Sequence, residues 1–373
     1  MNILFITNNY KPYNGGVVSS IDAFSDQLKT LGHSVKIVTL DFTGTHALEH
    51  NVIRLYSPIR FKYRQNPIAV PLFIKKQLAT IFEQEKPDVI HTHHPFILGP
   101  VATQLAKERS IPVFFTHHSQ YGQYAHYYAP VLPQLTRSIV EHKVHSFCKS
   151  VDHIIAPTDS IKRQLEAQQI NTPLSVLASG ILPIFNCQKK PEKTINKKSF
   201  ELLTVSRFVP EKNITFLFDV MKLLPEQFKL TLIGFGPELD YLQEYALAHC
   251  TLNPERIRFI VKPPKTIIAN YYKKADLFIF ASTTETQGLV FAESMAAGTP
   301  VIAVKAPGAQ DCIKDSYNGF LISTAQEMAE KITLLASDQK RYQQFSEHAF
   351  TTAQEYQMEA VTKKLINLYN RYY

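Results

Sequence analysis

The stretch 272–304, YKKADLFIFASTTETQGLVFAESMAAGTPVIAV, leaves a chain few ways to fold. Residues 277–280 are a short apolar run of strand length, 283–287 a polar turn, 289–297 of helical composition, and 300–304 strand-like again. Strand, loop, helix and strand in that order form a crossover, and its right-handed form lays both strands parallel in one sheet. Open sheets of that kind bind ligands beyond the carboxyl ends of their strands.

Two acids mark such an end. Glu285 stands just before the helix and Glu293 two turns into it, roughly 12 Å apart along the axis. Between them Gln287, Gly288, Leu289 and Val290 form a helix start. Its backbone N–H groups and positive dipole end suit an anion, and Gly288 lets that anion come close. A nucleotide diphosphate sugar has hydroxyls at both ends of an anionic diphosphate and fits this order. One carboxylate would accept from sugar hydroxyls and the other from the ribose. Acids also favour any helix start on electrostatic grounds alone, so the surroundings have to decide.

They do so by motif. Glu285 and Glu293, followed by Ser-Met-Ala-Ala-Gly-Thr-Pro-Val, closely resemble the E-x7-E segment of the retaining glycosyltransferases of family 4, which have the GT-B fold. Ser206, Arg207, Phe208 and Lys212 match the family's [ST]-R-[LF]-x-x-x-K pattern at a strand end. There Arg207 is a planar fork and Lys212 a point charge for a diphosphate. Gly234-Phe235-Gly236-Pro237 is similar to the family's G-x-G-P turn, whereas Leu239 in place of a third glycine argues against an NAD fingerprint. Gly15-Gly16, at the mouth of the first helix, reads alone as an ordinary βα turn; the resemblance implies that it approaches the donor diphosphate. The adjacent His117 and His118 are ambiguous alone, but Thr116, His118 and Tyr121 match the family's T-x-H-x-x-Y pattern. That selects His118 to bond the donor sugar or the leaving diphosphate, with His117 as the alternate. The chain departs from the family at Ser179-Gly180-Ile181-Leu182, where many members carry N-G-[IV]-D.

The resemblance implies an α/β protein of GT-B type, two Rossmann-like parallel-sheet domains facing a cleft. The boundaries expected are 1–187 for an acceptor-binding domain, 200–355 for a nucleotide-sugar-binding domain, and 356–373 for a helix returning to the first. The lysine-rich segment 188–199 reads as the linker, and 373 residues with 45% hydrophobic and 19% charged content suit two cores. Glu285 and His118 would be catalytic. Gly15, Gly16, Arg207, Lys212, Gly234, Gln287, Gly288, Leu289, Val290 and Glu293 would bind the donor. The implied reaction is hexose transfer, glucose from UDP first, with retention and without a metal or cofactor, the UDP-sugar being a substrate.

The acceptor is read from two further features. Thr284-Glu285-Thr286-Gln287-Gly288 looks like bacterial glycolipid synthases that glucosylate diacylglycerol. The formal charge is +8, and from 51 to 82 Arg54, Arg60, Lys62, Arg64, Lys75 and Lys76 interleave with Tyr56, Ile59, Phe61, Tyr63, Leu72, Phe73 and Ile74, with no acid before Glu83. That pattern suits either anionic lipid or a strand and a helix with apolar faces in the core. Tyr121, Tyr124, Tyr127 and Tyr128 form an aromatic loop for an acceptor or membrane, or packing against the next helix. No nucleic-acid-binding motif is present. A soluble polysaccharide or cell-wall precursor is the alternative acceptor. His91, His93 and His94 keep a metallohydrolase in view as the other enzyme class, although no carboxylate lies nearby in sequence, and a sugar-nucleotide-binding protein without turnover is a third reading. Four scattered cysteines, no signal-like N-terminus and no span of roughly 20 apolar residues point to the cytoplasm or the inner face of the plasma membrane.

Overall fold

The short apolar runs are strands whose two faces are both covered, which is why they read as continuous rather than alternating hydrophobics. In the second half, β10 (Phe200–Arg207), β11 (Phe228–Phe235), β12 (Ile257–Val261), β13 (Leu277–Phe280), β14 (Val301–Val304) and β15 (Gly319–Ile322) form one six-stranded sheet in the order β12-β11-β10-β13-β14-β15. Every pairing in it is parallel. Leu277 and Ile279 of β13 enter one core with Leu202 and Ile302, while Phe278 and Phe280 enter the other with Leu203 and Ala303. This period-two division is that of a sheet with helices on both sides.

The first half repeats the scheme. Its strands β1 (Asn2–Ile6), β2 (Ser34–Leu40), β3 (Val52–Leu55), β6 (Val89–Thr92), β7 (Val113–Thr116), β8 (His153–Ala156) and β9 (Leu174–Val176) form a parallel sheet in the order β3-β2-β1-β6-β7-β8-β9. Between β3 and β6, β4 (Ile59–Tyr63) and β5 (Asn66–Val70) pair as an antiparallel hairpin, ahead of the helix Ile74–Glu85. The computed structural model from which this architecture is taken describes residues 1–373 apart from 14, 45–49, 64–65, 119–120, 122–132, 187–194, 196–197, 250–255 and 286. Arg64, Tyr124, Tyr127, Tyr128, Thr286, Cys187, Cys250 and the linker residues Lys189, Lys190, Lys193 and Lys197 lie outside the described residues. Two units result: Met1–Gly180 together with Val361–Tyr373, and Ile181–Ala360.

In each unit the first strand lies inside the sheet, its next two strands extend to one side, and the later ones extend to the other. The strand order therefore reverses between β1 and β6, and again between β10 and β13, the places where open sheets leave room for ligands.

Candidate active site

In the second unit the reversal brings Lys212 and Glu285 together across 73 residues of sequence. Lys212 Nζ lies 2.7 Å from Glu285 Oε2, with the side chains only 15% and 20% exposed. The ammonium also sits 5.4 Å from the centroid of the Phe280 ring. The backbone holds both partners: Ser282 Oγ donates to the Glu211 carbonyl at 3.0 Å, and the Gly308 N–H donates to the Glu285 carbonyl at 3.0 Å. Loops after β10, β13 and β14 thus meet at Glu285, the first at its carboxylate and the last at its main-chain carbonyl. Arg207, the last residue of β10, is exposed and stands 3.4 Å from Glu211. Each cation of the motif already faces an acid, so an incoming diphosphate would compete for them.

The helix Leu289–Ala296 starts directly after Gly288, whose φ of 68° is in the left-handed region. A Cβ there would also come within 2.3 Å of the Phe291 ring, so the chain itself requires glycine at this point. Its cap has no side-chain hydrogen bond, and the Phe291 N–H of the first turn donates instead to the Gly288 carbonyl at 2.9 Å. Glu293, inside the helix, accepts from the Tyr272 hydroxyl at 3.0 Å. Burial pushes its carboxyl up to about 7, against the lowering influence of that hydrogen bond and of Lys265. Tyr272 opens the stretch 272–304, but nothing in its spacing marks it as the partner of Glu293.

The glycines separate into two kinds. A Cβ on Gly234 would lie 1.8 Å from the Ser206 carbonyl oxygen. Crowding between β10 and β11 accounts for it without a ligand. Gly15 and Gly16 differ: a Cβ on either meets no protein atom within 4 Å, and neither has a positive φ. Neither crowding by the surrounding chain nor a positive φ accounts for glycine at these two positions, which cap and open the helix Gly16–Thr30.

In the first unit, the reversal is surrounded by imidazoles. His91 lies at the end of β6, with His93 and His94 just beyond it, and His117 and His118 follow β7. His91 is held between hydroxyls, Nδ1 at 2.6 Å from Tyr369 and Nε2 at 2.7 Å from Thr116. His94 Nδ1 accepts from the Asn8 N–H at 3.3 Å. His93 Nδ1 and His118 Nε2 are 2.9 Å apart. Burial lowers all five: His91 to about 3, His94 and His117 to about 4, and His93 and His118 well below the ordinary imidazole range. His117 is buried, edge-on to Phe115 and Tyr121, whereas His118 is half-exposed. Of the adjacent pair, His118 is the more exposed among the described residues. Burial and the neighbouring imidazoles favour its neutral form in the unliganded chain, in which it donates a hydrogen bond from one ring nitrogen. Among the described residues no three His, Cys, Asp or Glu side chains converge to hold a metal ion.

Comparison with known proteins agrees with this architecture. The description of Glycosyltransferase Family 4 matches residues 14–182, and that of Glycosyl transferases group 1 matches residues 187–352. An alpha-monoglucosyldiacylglycerol synthase of Streptococcus pneumoniae is 32% identical, over 95% of this chain and 83% of its own length. One of the same name from Acholeplasma laidlawii is 25% identical over 99% and 96%. Among solved structures, Anabaena Alr3699/HepE in complex with UDP superposes with a TM-score of 0.78 at 19% identity, covering 100% of both chains. These matches place the reaction class outside hydrolysis: the chain belongs to the family 4 glycosyltransferases and carries their two parallel-sheet domains.

Proposed function

We propose that the chain transfers a hexose, glucose first, from UDP to a lipid acceptor of the diacylglycerol type with retention at the anomeric carbon. The observation that carries this reading is the 32% identity, over 95% of the chain, to a protein named for the alpha-glucosyl diacylglycerol it makes. Nucleotide sugars of this class are themselves α-linked, so an α product means net retention.

Charge decides the roles. When the bond from the anomeric carbon to the diphosphate breaks, negative charge builds on the phosphate oxygens, where preorganised donors act most strongly. Lys212 and Arg207 are the cations at that strand end, the Gly288 helix start supplies N–H groups, and Gly15 and Gly16 leave room for the phosphates. Lys212 has three protons to give. One suffices to hold Glu285 in place, which leaves the other carboxylate oxygen for sugar hydroxyls. Glu293 would accept from the ribose, and neutral His118 would donate to a sugar hydroxyl. No metal is assigned a role, because these groups already supply the charge.

The first unit supports a lipid acceptor. Ile59, Phe61 and Val70 of the hairpin, followed by Leu72 and Phe73, are exposed beside exposed Lys62 and Lys76. The test is a donor and acceptor screen with UDP-glucose and diacylglycerol first. Formation of a glucosyl lipid with α configuration is the expected result. Transfer only to a soluble glycan would replace the acceptor, and UDP binding without transfer to anything would remove the reaction.

A further inference from the structure

The bridge between His93 and His118 holds a single proton, and its surroundings determine which ring owns it. Both imidazoles are neutral, since burial and the neighbouring imidazoles hold each well below the ordinary range. Two arrangements are then possible across the 2.9 Å separation. In one, His93 donates from Nδ1 and its Nε2 is a bare lone pair. In the other, His118 donates from Nε2 and His93 carries its proton on Nε2.

His93 Nε2 separates them. His93 is 1% exposed, stacked on His91 at 4.4 Å and edge-on to Phe5 at 4.9 Å. Its Nε2 is buried and has no hydrogen-bond partner among the described residues. A buried N–H without an acceptor is rarer and costlier than an unused lone pair. The first arrangement therefore holds, and it fixes the second ring as well: His118 accepts at Nε2 and must carry its own proton on Nδ1.

We propose that His93 is a positioning residue that locks His118 in the Nδ1–H tautomer, so that Nδ1–H is the one donor His118 can offer a sugar hydroxyl. This rests on the reading that His118 bonds the donor sugar; the bridge and its tautomer stand independently of it. Thr116 and Tyr369 cannot take over the task, because both are engaged by His91.

The test reads the proton directly. In protein labelled with 15N-histidine, with the His118 signals assigned by their loss in His118→Gln, the ring nitrogens of His118 should show Nδ1 protonated and Nε2 bare. A protonated Nε2 overturns the proposal. His93→Leu should leave UDP affinity unchanged, give His118 a mixture of tautomers and lower kcat about tenfold, the scale of one lost hydrogen bond. His93→Asn, whose side-chain amide can donate from near the position of Nδ1, should restore most of that loss; equal losses in the two variants would show a packing role and overturn the positioning. His118→Ala with undiminished turnover would instead remove the sugar contact, leaving the tautomer result to decide the bridge.

Discussion

The two units wind their sheets alike and fill the same topological place with opposite chemistry. Beyond β1 and β6 the first unit has hydroxyls and imidazoles that burial favours as neutral, some of them bonded in chains, as in Tyr369 to His91 to Thr116. Beyond β10 and β13 the second has the Lys212–Glu285 pair, with Arg207 beside Glu211. Reversal of strand order supplies a place for a ligand in both, but it does not say which. A neutral, desolvated cluster can orient hydroxyls by donating and accepting, whereas a charged one can hold an anion and stabilise it as charge develops. On the function proposed above, the charge that answers a diphosphate comes from the second unit.

Acid should break the symmetry most strongly. His91, His93, His117 and His153 are buried and held below the ordinary imidazole value of 6.5. The unfolded chain takes up protons below pH 6.5 that the folded unit refuses, so the stability present above that pH is lost as pH falls. Each such group costs on the order of 1 kcal/mol at pH 5.5, and the four together several, a large part of a domain's stability. In the second unit the sign reverses at Glu293, whose raised carboxyl keeps its proton to about 7, so that site favours the fold at pH 5.5 over pH 7.5. Hydrogen exchange compared at those two pH values should show protection lost in peptides of 1–180 and retained in 200–355. Equal loss in both would remove the distinction.

Next in size is Glu285→Gln. It keeps the shape but removes the charge paired with Lys212 and the stronger acceptor for sugar hydroxyls. Turnover should fall by at least a hundredfold, about 3 kcal/mol of transition-state stabilisation, with the melting temperature within a few degrees of wild type. Activity within threefold of wild type would detach Glu285 from the chemistry. Arg207→Ala follows. Arg207 is exposed and only loosely engaged by Glu211, so its loss costs the fold little and should weaken UDP binding about tenfold, or about 1.4 kcal/mol. Titration calorimetry showing wild-type affinity would leave the diphosphate to Lys212 and the helix start.

Much of this was legible because parallel sheets bury both faces. The run Leu277–Phe280 is strand β13 to the residue, and the helix after Gly288 ends one residue before its expected limit. Other elements were hidden by physics that a linear reading does not see. Asn318-Gly319 reads as a turn, and residues 316–318 form one, but nothing local tells that Gly319 also begins β15, where a Cβ would lie 2.1 Å from the Val301 carbonyl oxygen and only glycine lets the strands meet. Gly234 reads as room for a ligand, and the structure adds a second reason for glycine there, the Ser206 carbonyl oxygen 1.8 Å from where a Cβ would lie. The contacts that make the sites, Lys212 with Glu285, Tyr272 with Glu293 and His93 with His118, span 73, 21 and 25 residues. They depend on which strands are neighbours, and strand order is not written in any local pattern.

The smallest expected effect separates the two readings of 51–82, and the structure gives each its share. Arg60 reaches the buried carboxylate of Asp41 at 3.2 Å, Arg54 donates to the Lys11 carbonyl at 3.0 Å, and Lys75 lies 3.0 Å from Glu108. These cations have work within the fold. Leu55, Leu78, Ile81 and Phe82 are core residues, as the packing alternative requires. What remains is a narrower surface: Lys62 and Lys76 beside Ile59, Phe61 at 51% exposure, and Phe73 at 74% with a φ of 52°. A bulky residue is held in the left-handed region only at a cost, and here that backbone carries an aromatic ring into solvent. Aromatic rings and cations together suit the surface of an anionic bilayer, where each cation contributes about 1 kcal/mol. Lys62→Gln and Lys76→Gln should each lower binding to vesicles containing phosphatidylglycerol about fivefold at low salt, and Arg54→Gln should not, since Arg54 is engaged by the chain. Flotation that ignores vesicle charge, or that responds to all three alike, would return this hairpin to the status of ordinary surface and leave the first unit without a reason to meet a lipid.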